Sequence, residues 1–302
     1  MRLISFRSAE GERIGALHAD GFVVDLVAAS RETGSALPSS MQSFIEAGED
    51  AWASARALVT SAPKSSRRDL AGLDVLAPLP RPIRLRDASL FLDHLEASYA
   101  KLGRPMSPEF RRQVIYYNAD HLHVFGPNAD IPWPSPSEWI DYELEWACVV
   151  GRTGSDISVD EASSHIFGYT IFNDWSARDL QIPFMETGLG PCGGKDFANS
   201  LGPCIATPDE FGNLCDLQMT ARINGEVWSR GTTANMTHRF EDAISQFSRN
   251  RVLYAGEVIG SGTVLNGCGF ELGRKLAIGD TVELEVEGIG KLVNRVVRAA
   301  SR

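Results

Sequence analysis

The segment WIDYELEWACVVG, residues 139–151, limits the possible folds more than any other part of the chain. Its apolar residues predict a strand entering the interior, and in a strand residues two apart share a face. Glu143 and Glu145 are such a pair, about 7 Å apart. At an effective dielectric near 20 they repel by roughly 2 kcal/mol. Three arrangements relieve that repulsion: a solvated face on an edge strand, a structural Ca²⁺ site, or a cluster of carboxylates around another hard cation. All-oxygen donor sets select Mg²⁺, Mn²⁺ or Ca²⁺ over zinc.

The rest of the chain suggests what surrounds this strand. LISFR, RIGALHAD and FVVDLVAA are short alternating segments separated by turn signals, which predict a β-meander. A helix is expected around SMQSFIEAGEDAWASARALV. Prolines 78, 80 and 82 then form a stiff, extended linker. The expected division is a small β-rich N-terminal domain at 1–76 and a catalytic domain at 77–302. In the second part, ASLFLDHLEASYAKLG predicts a helix from Ala88 to Gly103, with Asp87 just before it. Strands are expected at VIYY, YELEWACVV, IFGYTIFND, LQMTARI, GEVIGSGT and DTVELEVEG, and Asn224-Gly225 signals a type I′ hairpin. Strands outnumber helices without regular alternation, so the class is α+β, mainly β, rather than doubly wound.

Charge and cysteine usage exclude several roles. A net charge of −10 argues against a general nucleic-acid binder. No apolar run is long enough for a membrane helix, and MRLISFRSAEGERIG does not read as a secretory signal. Five cysteines without CxxC spacing fit reduced thiols in the cytoplasm. GLGPCG at 188–193 lacks the strand and helix of a dinucleotide loop, and GGK at 193–195 is no phosphate loop. His121 and His123 in HLH lack further ligand spacing, and no GxSxG elbow is present.

The order DYELEW, FNDWSARDLQ, GGKDF and GSGT resembles the fumarylacetoacetate hydrolase family over about residues 80–295, and FNDWSARDLQ is the most specific element. The resemblance implies a mixed β-sandwich roll and a divalent cation, Mg²⁺ first, with Mn²⁺ or Ca²⁺ as alternatives. The implied ligands are Glu143, Glu145 and Asp174, with Asp87 as a fourth. It also implies that His94, seven residues after Asp87, is the catalytic base. On one helix that spacing puts both residues on one face about 10 Å apart. Glu271 is the implied partner that orients the imidazole, or else a salt-bridged strand residue. Lys195 and Gln181 are implied oxyanion donors. Arg178 either grips a substrate carboxylate or holds the metal loop. Tyr116 is the implied substrate tyrosine, with Tyr117 equally eligible, and Thr263 either touches substrate or simply ends a strand.

The chain also departs from the family pattern. IPFME follows Gln181 where the family has a tyrosine, and Gly103 stands where it has an arginine, with Arg104 adjacent. Those groups grip a far carboxylate, so a different substrate is expected. The expected activity is metal-assisted hydrolysis of a C–C bond in a 1,3-diketo acid or acylpyruvate. Decarboxylation or isomerisation of 2-oxo acids is the alternative, and a metal-stabilised binding protein without turnover is the second. The implied partners are a small oxo acid and a second copy of the chain, with no nucleic acid and no membrane.

Overall fold

The computed structural model describes residues 1–299. Among these, a twelve-stranded sheet runs through ten strands in the order Arg67–Asp69, Phe22–Asp25, Gly11–Leu17, Arg2–Ser8, Asn199–Ala206, Ile166–Asp174, Glu145–Val150, Glu257–Gly260, Arg84–Ala88 and Tyr116–Ala119. A five-stranded sheet is built from Glu226–Thr232, Gln218–Ile223, Thr281–Val286, Gly290–Arg298 and Asp130–Trp133. The α+β class, dominated by sheet, is as expected. The N-terminal meander joins the long sheet through Arg2↔Ala206 and Leu3↔Ile205.

The segment 142–150, which carries Glu143 and Glu145, is buried on both faces. Tyr142, Leu144, Trp146, Cys148 and Val150 pack into one apolar cluster, while Ala147 and Val149 belong to the other, with Phe44 and Trp52. Neighbouring strands share this alternation. Leu85, Phe172 and Val258 lie in the second cluster, and two residues further along come Asp87, Asp174 and Gly260. Glu145 and Glu143 likewise precede Ala147 at steps of two. One face therefore turns from apolar to acidic across four adjacent strands.

Local signals explain the turns. Asn224 and Gly225 both take positive φ, 51° and 83°, as a type I′ turn requires, and join Ile223 to Glu226. The helix expected over about 40–59 is two helices, Met41–Glu46 and Gly48–Ser61, broken where Gly48 has φ 74°. The helix expected from Ala88 begins later, at Leu92, and ends at Lys101. Asp87 consequently lies on the strand Arg84–Ala88, opposite Gly260, and not on the helix that carries His94. Parallel pairing to Glu257–Gly260 overrides the helical spacing there.

Candidate metal centre and active site

Asp87, Glu143, Glu145 and Asp174 each present a carboxylate oxygen within 4.8 Å of the others. Glu143, Glu145 and Asp174 are buried, and Asp87 is half-buried at a cavity wall. Each is held by short contacts. Gly262 N donates to Asp87 Oδ1 at 3.1 Å, Thr263 Oγ1 to Glu145 Oε1 at 3.2 Å, and Tyr117 OH to Asp174 Oδ2 at 2.6 Å. The Glu143 backbone N donates to Asn173 Oδ1 at 2.9 Å, which ties the two acidic segments together. Gly260 leaves the room they need: a Cβ there would lie 2.9 Å from Asp87 Oδ1 and 2.7 Å from the Phe172 ring.

Two buried cations answer part of the charge. Lys195 Nζ sits 2.6 Å from Glu143 Oε2 and 2.5 Å from Asp174 Oδ2. Arg178 Nη2 lies 2.9 Å from both Glu143 Oε1 and Asp141 Oδ2, and its Nη1 donates to Gln181 Oε1 at 2.9 Å. Asp141 also accepts from Gly269 N and Phe270 N, at 2.8 and 2.9 Å, so it fixes the segment that carries Glu271.

Five carboxylates thus face two cations, and their proton affinities show the imbalance. Burial pushes Asp87 and Glu145 well above the usual carboxylate range, and the neighbouring anions add to the effect. Burial also raises Asp174, only partly countered by Lys195, to about 6. At Glu143 burial acts upward too, but Lys195 and Arg178 outweigh it and hold the group at about 2. Burial would lower Lys195, yet Asp174 and Glu143 win and raise it. Glu145 Oε2 and Asp174 Oδ1 are buried without any hydrogen-bond partner. Orphaned oxygens in an all-carboxylate set, with negative charge in excess, fit a hard divalent cation.

A second cluster adjoins the first. His94 Nδ1 is 2.8 Å from Glu271 Oε2, which also accepts from Gly267 N at 3.2 Å. The Glu271 side chain is 2% exposed and that of His94 12%. With Nδ1 engaged by the carboxylate, Nε2 is the ring nitrogen left for other partners. His94 lines a cavity of about 420 Å³ together with Asp87, Tyr117, Glu143, Gln181, Lys195 and Thr263.

The structure separates the two adjacent tyrosines, both of which line the cavity. On the strand Tyr116–Ala119 successive side chains point to opposite faces, and Tyr117 is the one that reaches the carboxylates. The Tyr116 hydroxyl accepts from Arg251 Nη1 at 3.2 Å, and its ring lies tilted 4.4 Å from that of Phe247. Burial, with Asp174 and Asp87 beside it, raises Tyr117 well above its usual value, so it is a proton donor here. Sequence reasoning did not single out Asp141, Asn173 or Gly260. The i−2 position of Asp141 before Glu143 was the available signal for that residue. The other two depend on strand pairing. Arg104 does not turn to the cavity but pairs with Glu186.

The family model for the C-terminal domain of fumarylacetoacetate hydrolase matches residues 87–297. The chain belongs to this family. Human mitochondrial oxaloacetate tautomerase is 32% identical over 307 residues, covering 98% of this chain and 92% of that protein. Among solved structures, a fumarylacetoacetate hydrolase from psychrophilic Exiguobacterium antarcticum has 27% identity and a TM-score of 0.77, covering 99% of each chain. A 5-carboxymethyl-2-hydroxymuconate delta-isomerase from Mycobacterium smegmatis has 25% identity and a TM-score of 0.71, covering 99% of this chain and 100% of that one. The family is one of enzymes, and metal-dependent work on 2-oxo acids fits both the relatives and the acidic cluster. Among the described residues no helix is long and apolar enough to cross a membrane.

Proposed function

We propose that Asp87, Glu143, Glu145 and Asp174 hold a divalent cation, Mg²⁺ or Mn²⁺ first, and that His94 moves a proton at the carbon beside the carbonyl of a 2-oxo acid. The carrying observation is that His94, held by Glu271 at 2.8 Å, lines the same cavity as Asp87 and Glu143. A bound cation of this kind withdraws electron density from a carbonyl oxygen and so acidifies the neighbouring C–H.

The residues of the chain supply the rest. Nε2 of His94 takes the proton from the substrate carbon. The C–H electron pair becomes the new C=C bond, and the carbonyl π pair moves onto oxygen. Glu271 stabilises the imidazolium and keeps the ring oriented, and the proton returns to that oxygen to complete a keto–enol interconversion. Gln181 is positioned to help: its Oε1 is engaged by Arg178, which aims the amide while leaving its N–H groups available. Lys195 acts by bridging Glu143 and Asp174 and setting their charge. Arg178 holds Glu143 directly and is itself anchored by Asp141.

Hydrolysis of a 1,3-diketo acid is the second reading, favoured by the open cavity beside His94 and by likeness to a hydrolase. There His94 takes its proton from water, the hydroxide adds to the distal carbonyl carbon, and the C–C bond breaks. The electron pair leaves on the carbon beside the first carbonyl, which receives the proton back from His94. Thr263 acts through Glu145 in either reaction.

Both reactions are tested by proton NMR in deuterated water with oxaloacetate and an acylpyruvate, with and without Mn²⁺. Metal-dependent exchange of C3 hydrogens or enol loss without fragmentation supports tautomerisation, and release of pyruvate plus a carboxylic acid supports hydrolysis. His94→Gln should abolish either while leaving Mn²⁺ binding by calorimetry intact. Full turnover in that variant refutes the role of the imidazole. A homodimer in the cytoplasm completes the proposal, and sedimentation velocity tests its stoichiometry.

A further inference from the structure

The cavity beside His94 is divided chemically. One pole carries Asp87 and Glu143 with Lys195, Gln181 and Thr263. The remaining walls are supplied mainly by Phe91, Leu95, Tyr99, Phe110, Ile115 and Met185. Phe91 is 1% exposed and so forms a fixed wall, and the rings of Tyr99 and Phe110 meet edge to face at 6.0 Å. Among the described lining residues, Lys195 is the one with a permanent positive charge, and it is already bound by Glu143 and Asp174. Arg104 and Arg111, on neighbouring segments, are turned to Glu186 and Glu96.

We propose that this chamber selects 2-oxo monoacids whose far end is apolar over diacids of the same length. The inference rests on the reading above, in which the acidic pole receives the 2-oxo acid head. A second carboxylate placed among these six side chains, apolar but for the Tyr99 hydroxyl, would leave water and meet no cationic partner there. An alkyl or aryl tail would instead bury its surface, at about fourfold in affinity per methylene. A four-carbon diacid anchored at the acidic pole would leave the apolar walls unused. The preference is therefore for a tail, and against a charge at its end.

Steady-state kinetics of the Mn²⁺-loaded enzyme test this with two 2,4-dioxo acids of equal length. One ends in a branched alkyl group and the other in a carboxylate, and oxaloacetate serves as the short reference. The expected result is kcat/KM at least about tenfold higher for the alkyl acid, with the difference in KM. Ile115→Arg should reverse the ratio by supplying the missing cation. Ile115→Ala, which is gentler on the fold, should weaken the alkyl preference without improving the diacid. Equal or better turnover of the diacid, or of oxaloacetate with the alkyl acid inert, overturns the inference while the catalytic reading survives. So does an unmoved ratio in both variants. If none of the three acids is consumed, the reading of the acidic pole fails, and the inference fails with it.

Discussion

Replacing Lys195 by Met isolates the electrostatics of the centre. The ammonium lies 2.6 Å from Glu143 and 2.5 Å from Asp174, with its side chain 3% exposed. Removing one partner of such a buried pair costs about 3–5 kcal/mol, because the remaining charges stay out of water. At roughly 2–4 °C per kcal/mol, the metal-free variant should melt about 6–20 °C below the wild type. The loss should be larger at alkaline pH and smaller below pH 6, because Asp174, already raised to about 6, escapes by binding a proton. Divalent cation should have the opposite balance. The variant has one positive charge fewer among the same carboxylates, so saturating Mn²⁺ should raise its melting temperature by more than it raises that of the wild type. Differential scanning calorimetry in EDTA and in Mn²⁺, at two pH values, measures all three effects. A variant as stable as the wild type in EDTA, or one that Mn²⁺ stabilises less, would refute the electrostatic account of the cluster.

Other perturbations address separate parts of the site. In EDTA, Asp174 binds its proton more readily folded than unfolded. Its contribution should therefore lower stability as pH rises from about 3.8 through about 6. Glu143, held at about 2, has the reverse sign, and its contribution is lost only as pH falls from 4.5 toward 2. Denaturant titrations across pH, with Glu143→Gln and Asp174→Asn as controls, separate the two. Gly260→Ala places a methyl group 2.9 Å from Asp87 Oδ1 and 2.7 Å from Phe172. It should cost about 1–3 kcal/mol by overpacking and weaken Mn²⁺ binding by calorimetry. Glu271→Gln keeps the shape but removes the charge that stabilises an imidazolium. It should lower kcat by about a hundredfold or more with Mn²⁺ affinity unchanged.

Much of the site was legible because its parts carry local signatures. Glu143 and Glu145 announced themselves as paired anions in an apolar strand, and FNDWSARDLQ placed Asp174 at the end of another. The hairpin at Asn224-Gly225 followed from two residues that tolerate positive φ. What failed did so where partners distant in sequence outweigh local preference. The spacing of Asp87 and His94 suits a helix, but Asp87 is captured by a parallel strand more than 170 residues away. Tyr116 and Tyr117 are indistinguishable in sequence, and only the register of their strand assigns one to the carboxylates and the other to Arg251.

The amino-acid order alone determined the chemical inventory: a surplus of acid, paired glutamates in an apolar strand, one imidazole at a telling position, and an α+β chain rich in strands. Those properties are local in the chain, set by side-chain chemistry and periodicity. Tertiary structure decided the rest. It brought four carboxylates from three strands of one sheet and the segment leading into one of them to a single point, inserted Lys195 between two of them, and set Glu271 against His94 across 177 positions. Electrostatic cost and geometric fit depend on distances in space, and strand pairing across the whole chain is what sets those distances.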